Sequence, residues 1–179
     1  MPHSPREWPP ARSTAITEYG EACPGSDSSQ EPRLWRTLTW GEFRQRVAVF
    51  STALRRKGLK AGDRVAHVSA NTSDPIVTFL ACLALGCVFS ALPTDAGPQA
   101  MYGRLAQIRP SLVLTDDVAY YNGKEINVMD RVAQVTDDLM QDGHVDARPD
   151  GPPLHVVCLR NTRAQGRAEW QWKGKRVRW

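Results

Sequence analysis

The chain has 179 residues, enough for one domain of ordinary size or a domain with tails. Its hydrophobic content of 41% can supply a globular core. No apolar run approaches the roughly 20 residues that span a bilayer. The first twelve residues hold Pro2, Pro5, Pro9 and Pro10 in place of the apolar stretch of a secretory signal, so the expected setting is the cytoplasm, with no membrane partner.

The formal charge of +4 is unevenly spread. Residues 1–159 carry 16 basic and 18 acidic side chains, a net of −2, whereas residues 160–179 carry seven basic and one acidic, a net of +6. The basic balance therefore belongs to the last twenty residues. Four cysteines, at 23, 82, 87 and 158, form no C-x-x-C pair. Cys82 and Cys87 lie in apolar stretches and read as small buried hydrophobes, not as metal ligands or a disulfide.

Residues 1–34 are rich in Pro, Ser, Gly and charge without apolar periodicity, and are expected to be a loosely ordered lead-in. Thr39-Trp40-Gly41-Glu42 reads as a capping box. Trp40, Phe43, Val47, Phe50 and Leu54 then recur at helical spacing, which predicts a helix over 40–57 that Gly58 stops. A turn at Ala61-Gly62-Asp63 leads into a short strand, 64–68. Asp74-Pro75 reads as an N-cap followed by proline at the first helical position. The run 76–85 is nearly all apolar and predicts a helix buried on most sides, ended by Gly86. Residues 87–92 read as a second buried strand, 93–97 as a loop, and Pro98 as the start of a helix that ends at Arg109-Pro110.

A third strand is expected over 112–115. The segment 119–126 contains Asn122-Gly123, the strongest short-range turn dipeptide, and predicts a hairpin or tight loop. Asn127 with Asp130 opens a helix to about Met140, 142–153 is a polar linker, and 154–159 is a fourth strand. Strands alternating with helices imply an α/β fold with a mainly parallel sheet flanked by helices.

Ligands in such sheets sit at the carboxyl ends of the strands, and phosphate binders there use Gly-rich loops. Neither G-x-G-x-x-G nor G-x-x-x-x-G-K-[ST] occurs here. No G-x-S-x-G nucleophile elbow occurs either, and the four His, at 3, 67, 144 and 155, are scattered. His67 falls in a strand pattern and reads as a core or edge histidine, not a ligand. Asp116-Asp117 has the composition of a cation pair, but a solvated turn is the expected reading. The tail interleaves Trp170, Trp172 and Trp179 with Lys173, Lys175, Arg176 and Arg178, the composition of single-strand nucleic-acid binders. Without a fold motif around it, that segment is expected to be a disordered tail rather than a nucleic-acid site.

Several segments resemble a known family. Leu38-Thr39-Trp40-Gly41-Glu42-Phe43 and Gly62-Asp63-Arg64-Val65-Ala66 look like the opening of the adenylate-forming acyl-CoA synthetase superfamily. Phe79-Leu80-Ala81-Cys82-Leu83-Ala84-Leu85-Gly86-Cys87 resembles its buried helix and next strand. Arg104-Leu105-Ala106-Gln107-Ile108-Arg109-Pro110 and Tyr120-Tyr121-Asn122-Gly123-Lys124 are most similar to its acetoacetyl-CoA synthetase branch. The likeness covers about residues 35–135.

The resemblance implies that 35–159 is part of an adenylate-forming ligase N-terminal domain, preceded by the lead-in and followed by the tail, 160–179. It implies chemistry that uses ATP, Mg²⁺ and CoA on acetoacetate or another short acyl acid. It also implies a CoA-binding role for the turn Tyr121, Asn122, Gly123 and Lys124, with Lys124 as its one cation. Tyr121 stands where the family often has a basic residue. The Ser/Thr/Gly-rich loop ending in Lys, the adenylate-pocket motifs and the catalytic Lys of the mobile C-terminal domain have no counterpart in this sequence, so no catalytic residue is assigned. The alternative is a non-catalytic binding module that takes CoA through the Tyr121–Lys124 turn or nucleic acid through the tail.

Overall fold

The computed structural model describes residues 9–20, 33–121, 124–144, 154–159, 171–172 and 175–176. In chain order these form β1 (Thr14–Gly20), β2 (Arg33–Thr39), α1 (Trp40–Arg56), β3 (Arg64–Val68), α2 (Ser73–Leu85), β4 (Val88–Leu92) and α3 (Pro98–Ile108). There follow β5 (Leu112–Asp116), β6 (Val118–Tyr121), β7 (Lys124–Asn127), α4 (Met129–Gln141) and β8 (His155–Leu159). Two-residue strands, β9 (Gln171–Trp172) and β10 (Lys175–Arg176), pair antiparallel in the tail. No described helix is long and apolar enough to cross a membrane.

The main sheet has the order β4-β3-β5-β8, and every pairing in it is parallel. A parallel sheet must be covered on both faces, because each crossover carries a helix. The period-two alternation of the strands sorts their side chains accordingly. Val65, Leu112, Leu114 and Val157 pack with Leu54 of α1 and Ala81 and Cys82 of α2. Ala66, Val68 and Val113 pack with Met101 and Leu105 of α3 and Val132, Val135 and Leu139 of α4. β5 is buried at every position. The α/β fold with a mainly parallel, helix-flanked sheet is the architecture expected from the sequence.

Local signals explain several boundaries. At α1 the Thr39 hydroxyl accepts from the Glu42 N–H (3.2 Å), while the Glu42 carboxylate accepts from the Thr39 N–H (2.8 Å), completing the capping box. These hydrogen bonds hold the Glu42 carboxyl below its ordinary range, the backbone bond contributing most. Gly86 ends α2 with φ 72°, a left-handed conformation that glycine adopts without a Cβ penalty.

The structure also departs from the sequence reading. The lead-in contains β1, which pairs antiparallel with β2. Its buried residues are Glu18, 6% exposed, and Gly20, so the strand carries no clear apolar alternation to read. The cap of α2 is Thr72, not Asp74; the helix starts at Ser73, and Pro75 sits in its first turn. α2 is not buried on most sides: Val77, Thr78, Ala81 and Cys82 face the core, while Ile76, Phe79 and Leu83 are exposed. β4 is not an internal strand but an edge, with Val88 exposed. A continuous apolar run does not tell a helix or strand covered on two sides from one covered on a single side. The expected linker 142–153 lies largely outside the described residues.

His67 lies in mid-sheet on the α1/α2 face, fully buried, with neither ring nitrogen hydrogen-bonded. The Phe89 ring meets it edge-on, 6.4 Å between centroids. It is a core histidine. Burial lowers its pKa from 6.5 to about 4. The unfolded chain therefore binds the His67 proton first as pH falls, and the folded state loses stability through the window from 6.5 to 4. We expect His67→Leu to abolish that part of the acid sensitivity, worth about 3 kcal/mol in full. Urea unfolding of both proteins at pH 7 and pH 4.5 measures it; equal losses on acidification would contradict the assignment.

Candidate functional site

The chain leaves β3 for α2 on one face of the sheet and leaves β5 for α4 on the other. The carboxyl ends of these adjacent strands thus flank a switch point, where open α/β sheets form their ligand crevice. Here a side-chain hydrogen bond bridges the two strand ends. The Asp116 carboxylate, at the end of β5, accepts from the Ala70 N–H in the loop after β3 at 2.7 Å. Burial, with smaller contributions from Asp74 and Asp117, pushes the Asp116 pKa up to about 7, partly offset by the Ala70 hydrogen bond.

Asp117 is the joint from which three elements leave. Its N–H donates to the Leu159 carbonyl (3.1 Å), and its own carbonyl accepts from Val128 (3.1 Å) and Met129 (3.2 Å) at the start of α4. Its carboxylate accepts from the Val118 N–H at 2.8 Å. Asp116 and Asp117 are 2% and 1% exposed, so the expected solvated turn is corrected: both are structural and buried. A polar pair is tolerated there because backbone donors satisfy it. Among the described residues no group of three or more His, Cys, Asp or Glu is placed to hold a metal ion.

A second polar cluster joins the β1–β2 ribbon to the helices. The Glu18 carboxylate accepts from the Ser73 N–H at 2.6 Å, satisfying a donor at the first turn of α2 where the helix dipole favours an anion. Arg36 of β2 lies 3.8 Å from Glu18 and 3.9 Å from Asp74, and Arg46 of α1 lies 3.7 Å from Asp74. Burial raises the Asp74 pKa, and the two arginines act against that rise. Beside this network runs a groove of about 370 Å³ between α1, α2 and the end of β8, walled by Val49, Phe50, Val77 and Leu159. A larger groove, about 970 Å³, lies along β4 and α3.

The candidate turn sits beyond the switch point. β6 and β7 form a hairpin in which Tyr121 pairs with Lys124, the register a two-residue connection requires. Tyr121 and Lys124 are both exposed at its tip. Asn122 and Gly123 lie outside the described residues. At the other end of the hairpin, Asn127 accepts from the Asp130 N–H (3.0 Å), as its spacing predicts, and α4 begins. One residue that the sequence reading passed over is Arg131. Its guanidinium donates to the carbonyls of Thr94 (2.9 Å) and Ala96 (3.2 Å) in the loop between β4 and α3. Among the described cysteines, Cys82 and Cys87 are buried, and burial pushes the thiols of Cys82 and Cys158 up to about 12, which disfavours the reactive thiolate.

Asp116 gives a pH dependence opposite in sign to that of His67. Its folded pKa is raised from 3.8, so between about 7 and 3.8 the folded chain holds a proton that the unfolded chain has lost. That stability is present at low pH and fades as pH rises through 7. We expect Asp116→Asn, which keeps an acceptor for Ala70, to be more stable than the parent at pH 8 by about 2 kcal/mol and similar to it at pH 5. Denaturant melts at the two pH values test this; a variant less stable at pH 8 would show that the ionised carboxylate is favoured in place.

Comparison with known proteins fits this geometry. The family model described as AMP-binding enzyme matches residues 18–171. The acetoacetyl-CoA synthetase of Rhizobium meliloti is 37% identical over 109 residues, 61% of this chain and 17% of that protein. The acetoacetyl-CoA synthetase of Macaca fascicularis is 35% identical over 102 residues, 57% of this chain and 15% of that protein. The solved acetoacetyl-CoA synthetase from Streptomyces lividans superposes with a TM-score of 0.58 at 30% identity, covering 72% of this chain and 20% of that one. The chain thus spans about a sixth to a fifth of the length of these relatives. On the match over 18–171, it belongs to the AMP-binding enzyme family.

Proposed function

We propose that this chain is the opening α/β segment of an acyl-CoA ligase of the acetoacetyl-CoA synthetase kind, and that by itself it does not complete the reaction. The observation that carries the reading is the likeness in both sequence and fold to acetoacetyl-CoA synthetases. The reaction of such a ligase has two steps. A carboxylate attacks the α-phosphate of ATP, releasing pyrophosphate and forming an acyl-adenylate; the CoA thiol then displaces AMP. The first step needs charge stabilisation around the phosphates. Neither G-x-G-x-x-G nor G-x-x-x-x-G-K-[ST] occurs in the sequence, and no step is assigned to a residue of this chain.

What the chain can contribute is the hairpin tip. Lys124 is exposed on a short turn, where a lysine acts as a point charge toward a phosphate. We assign Tyr121, Asn122, Gly123 and Lys124 to the CoA nucleotide, with Lys124 supplying the charge. The acyl group is left open. A malonamoyl-CoA synthetase of Penicillium aethiopicum is also 34% identical over 98 residues, so the matched region is shared by ligases of different acyl acids.

Two measurements test this reading. Acetoacetate-dependent ATP–pyrophosphate exchange with the purified chain is expected at background level; robust exchange would overturn the claim of incompetence. Calorimetric titration with CoA is expected to show weak binding that falls about fivefold to tenfold in Lys124→Ala, the range for one screened phosphate contact. An unchanged affinity in the variant would remove the turn from the site.

A further inference from the structure

The loop at 93–97 has little of its own to hold it. Gly97, the N-cap of α3, makes no side-chain capping bond, and the next residue is Pro98, which has no N–H to give. The loop joins β4, an edge strand, to α3, whose Met101 N–H donates to the Gly97 carbonyl. A loop of this kind would be expected to move freely. Instead two of its carbonyls, those of Thr94 and Ala96, converge on the guanidinium of Arg131. Both bonds come from one nitrogen of the guanidinium fork, Nη1, whose two N–H groups give charge-assisted bonds to the two carbonyls.

Arg131 also has a particular address. It lies in the first turn of α4, directly after the base of the hairpin, where Asn127 binds Asp130. The tip of that hairpin carries Lys124. Three residues of extended strand separate Lys124 from Asn127, roughly 10 Å. One side chain therefore ties the loop after β4 to the base of the hairpin after β5, across the top of the sheet.

We propose that Arg131 is a positioning residue for the CoA site. It fixes the 93–97 loop against the base of the hairpin, so that a nucleotide held by Lys124 meets one rigid surface and not two separately moving loops. This rests on the CoA reading given above. Arg131 is not proposed to touch the ligand.

The test uses the full chain, labelled with ¹⁵N, as wild type, Arg131→Met and Arg131→Lys. Order parameters of Asp95, Ala96 and Gly97 report the loop without any ligand. They are expected to fall from about 0.85 in the wild type to about 0.6 in Arg131→Met, with Val113 in the core unchanged. Titration with CoA is expected to weaken about tenfold in Arg131→Met and to recover in part in Arg131→Lys, which keeps the charge but not the fork. A loop equally ordered in Arg131→Met overturns the clamp. A loosened loop with unchanged CoA affinity overturns the positioning role. A wild type that binds no CoA overturns the reading on which the proposal rests, and the ligand-free order parameters separate that failure from a failure of the clamp.

Discussion

The structure depends on the buried pairing of β3 with β5. These strands run parallel from Val65↔Leu112 to Val68↔Thr115, and each contributes alternate side chains to both apolar layers. Parallel neighbours cannot be joined by a tight turn, so each crossover must carry a helix. The two directions of crossover send α2 to one face and α3 and α4 to the other, as right-handed connections require. Removing large side chains from either strand would thin both layers at once. The same pairing creates the switch point at its carboxyl end, and with it the need to satisfy the polar groups gathered there.

Those groups show how the fold handles buried charge. Glu18 is buried where α2 presents an unpaired N–H, and Asp116 where the loop after β3 presents another. Arg36 and Arg46 stand beside the acidic groups of the first cluster. A buried carboxylate without such donors would be strongly destabilising; with them it joins segments far apart in sequence, 55 residues for Glu18 and Ser73 and 46 for Ala70 and Asp116. The β1–β2 ribbon is thereby tied to the helical layer by polar contacts from Glu18 and Arg36.

What the sequence revealed follows the same division. The elements held by local rules are legible: the capping box at Thr39 and Glu42, the glycine stop at 86, the strands β3 and β5, and a hairpin or tight loop over 119–126, though not its register. The elements set by distant partners are not. β1 was invisible because its buried residues are a carboxylate and a glycine. α2 and β4 were read as more buried than they are because Ile76, Phe79, Leu83 and Val88 look like core in one dimension. Asp116 and Asp117 were read as solvated because their donors lie on other elements. Arg131 gave no signal at all, since its acceptors are backbone carbonyls 37 and 35 residues away.

Among the described residues β4 is an edge strand of the main sheet, which bears on assembly. Val88–Leu92 contains no charged residue and no proline, the two devices that most simply prevent one edge from recruiting another. Its outward N–H and C=O groups form a template with no preference between a strand of a larger sheet and the same strand of a second molecule. Which of the two is satisfied becomes a matter of effective concentration. A covalently tethered strand competes at the millimolar level or above, and a second molecule only at whatever concentration the solution holds. The edge is therefore a switch between completion and self-association, and its position is set by stoichiometry, not by sequence.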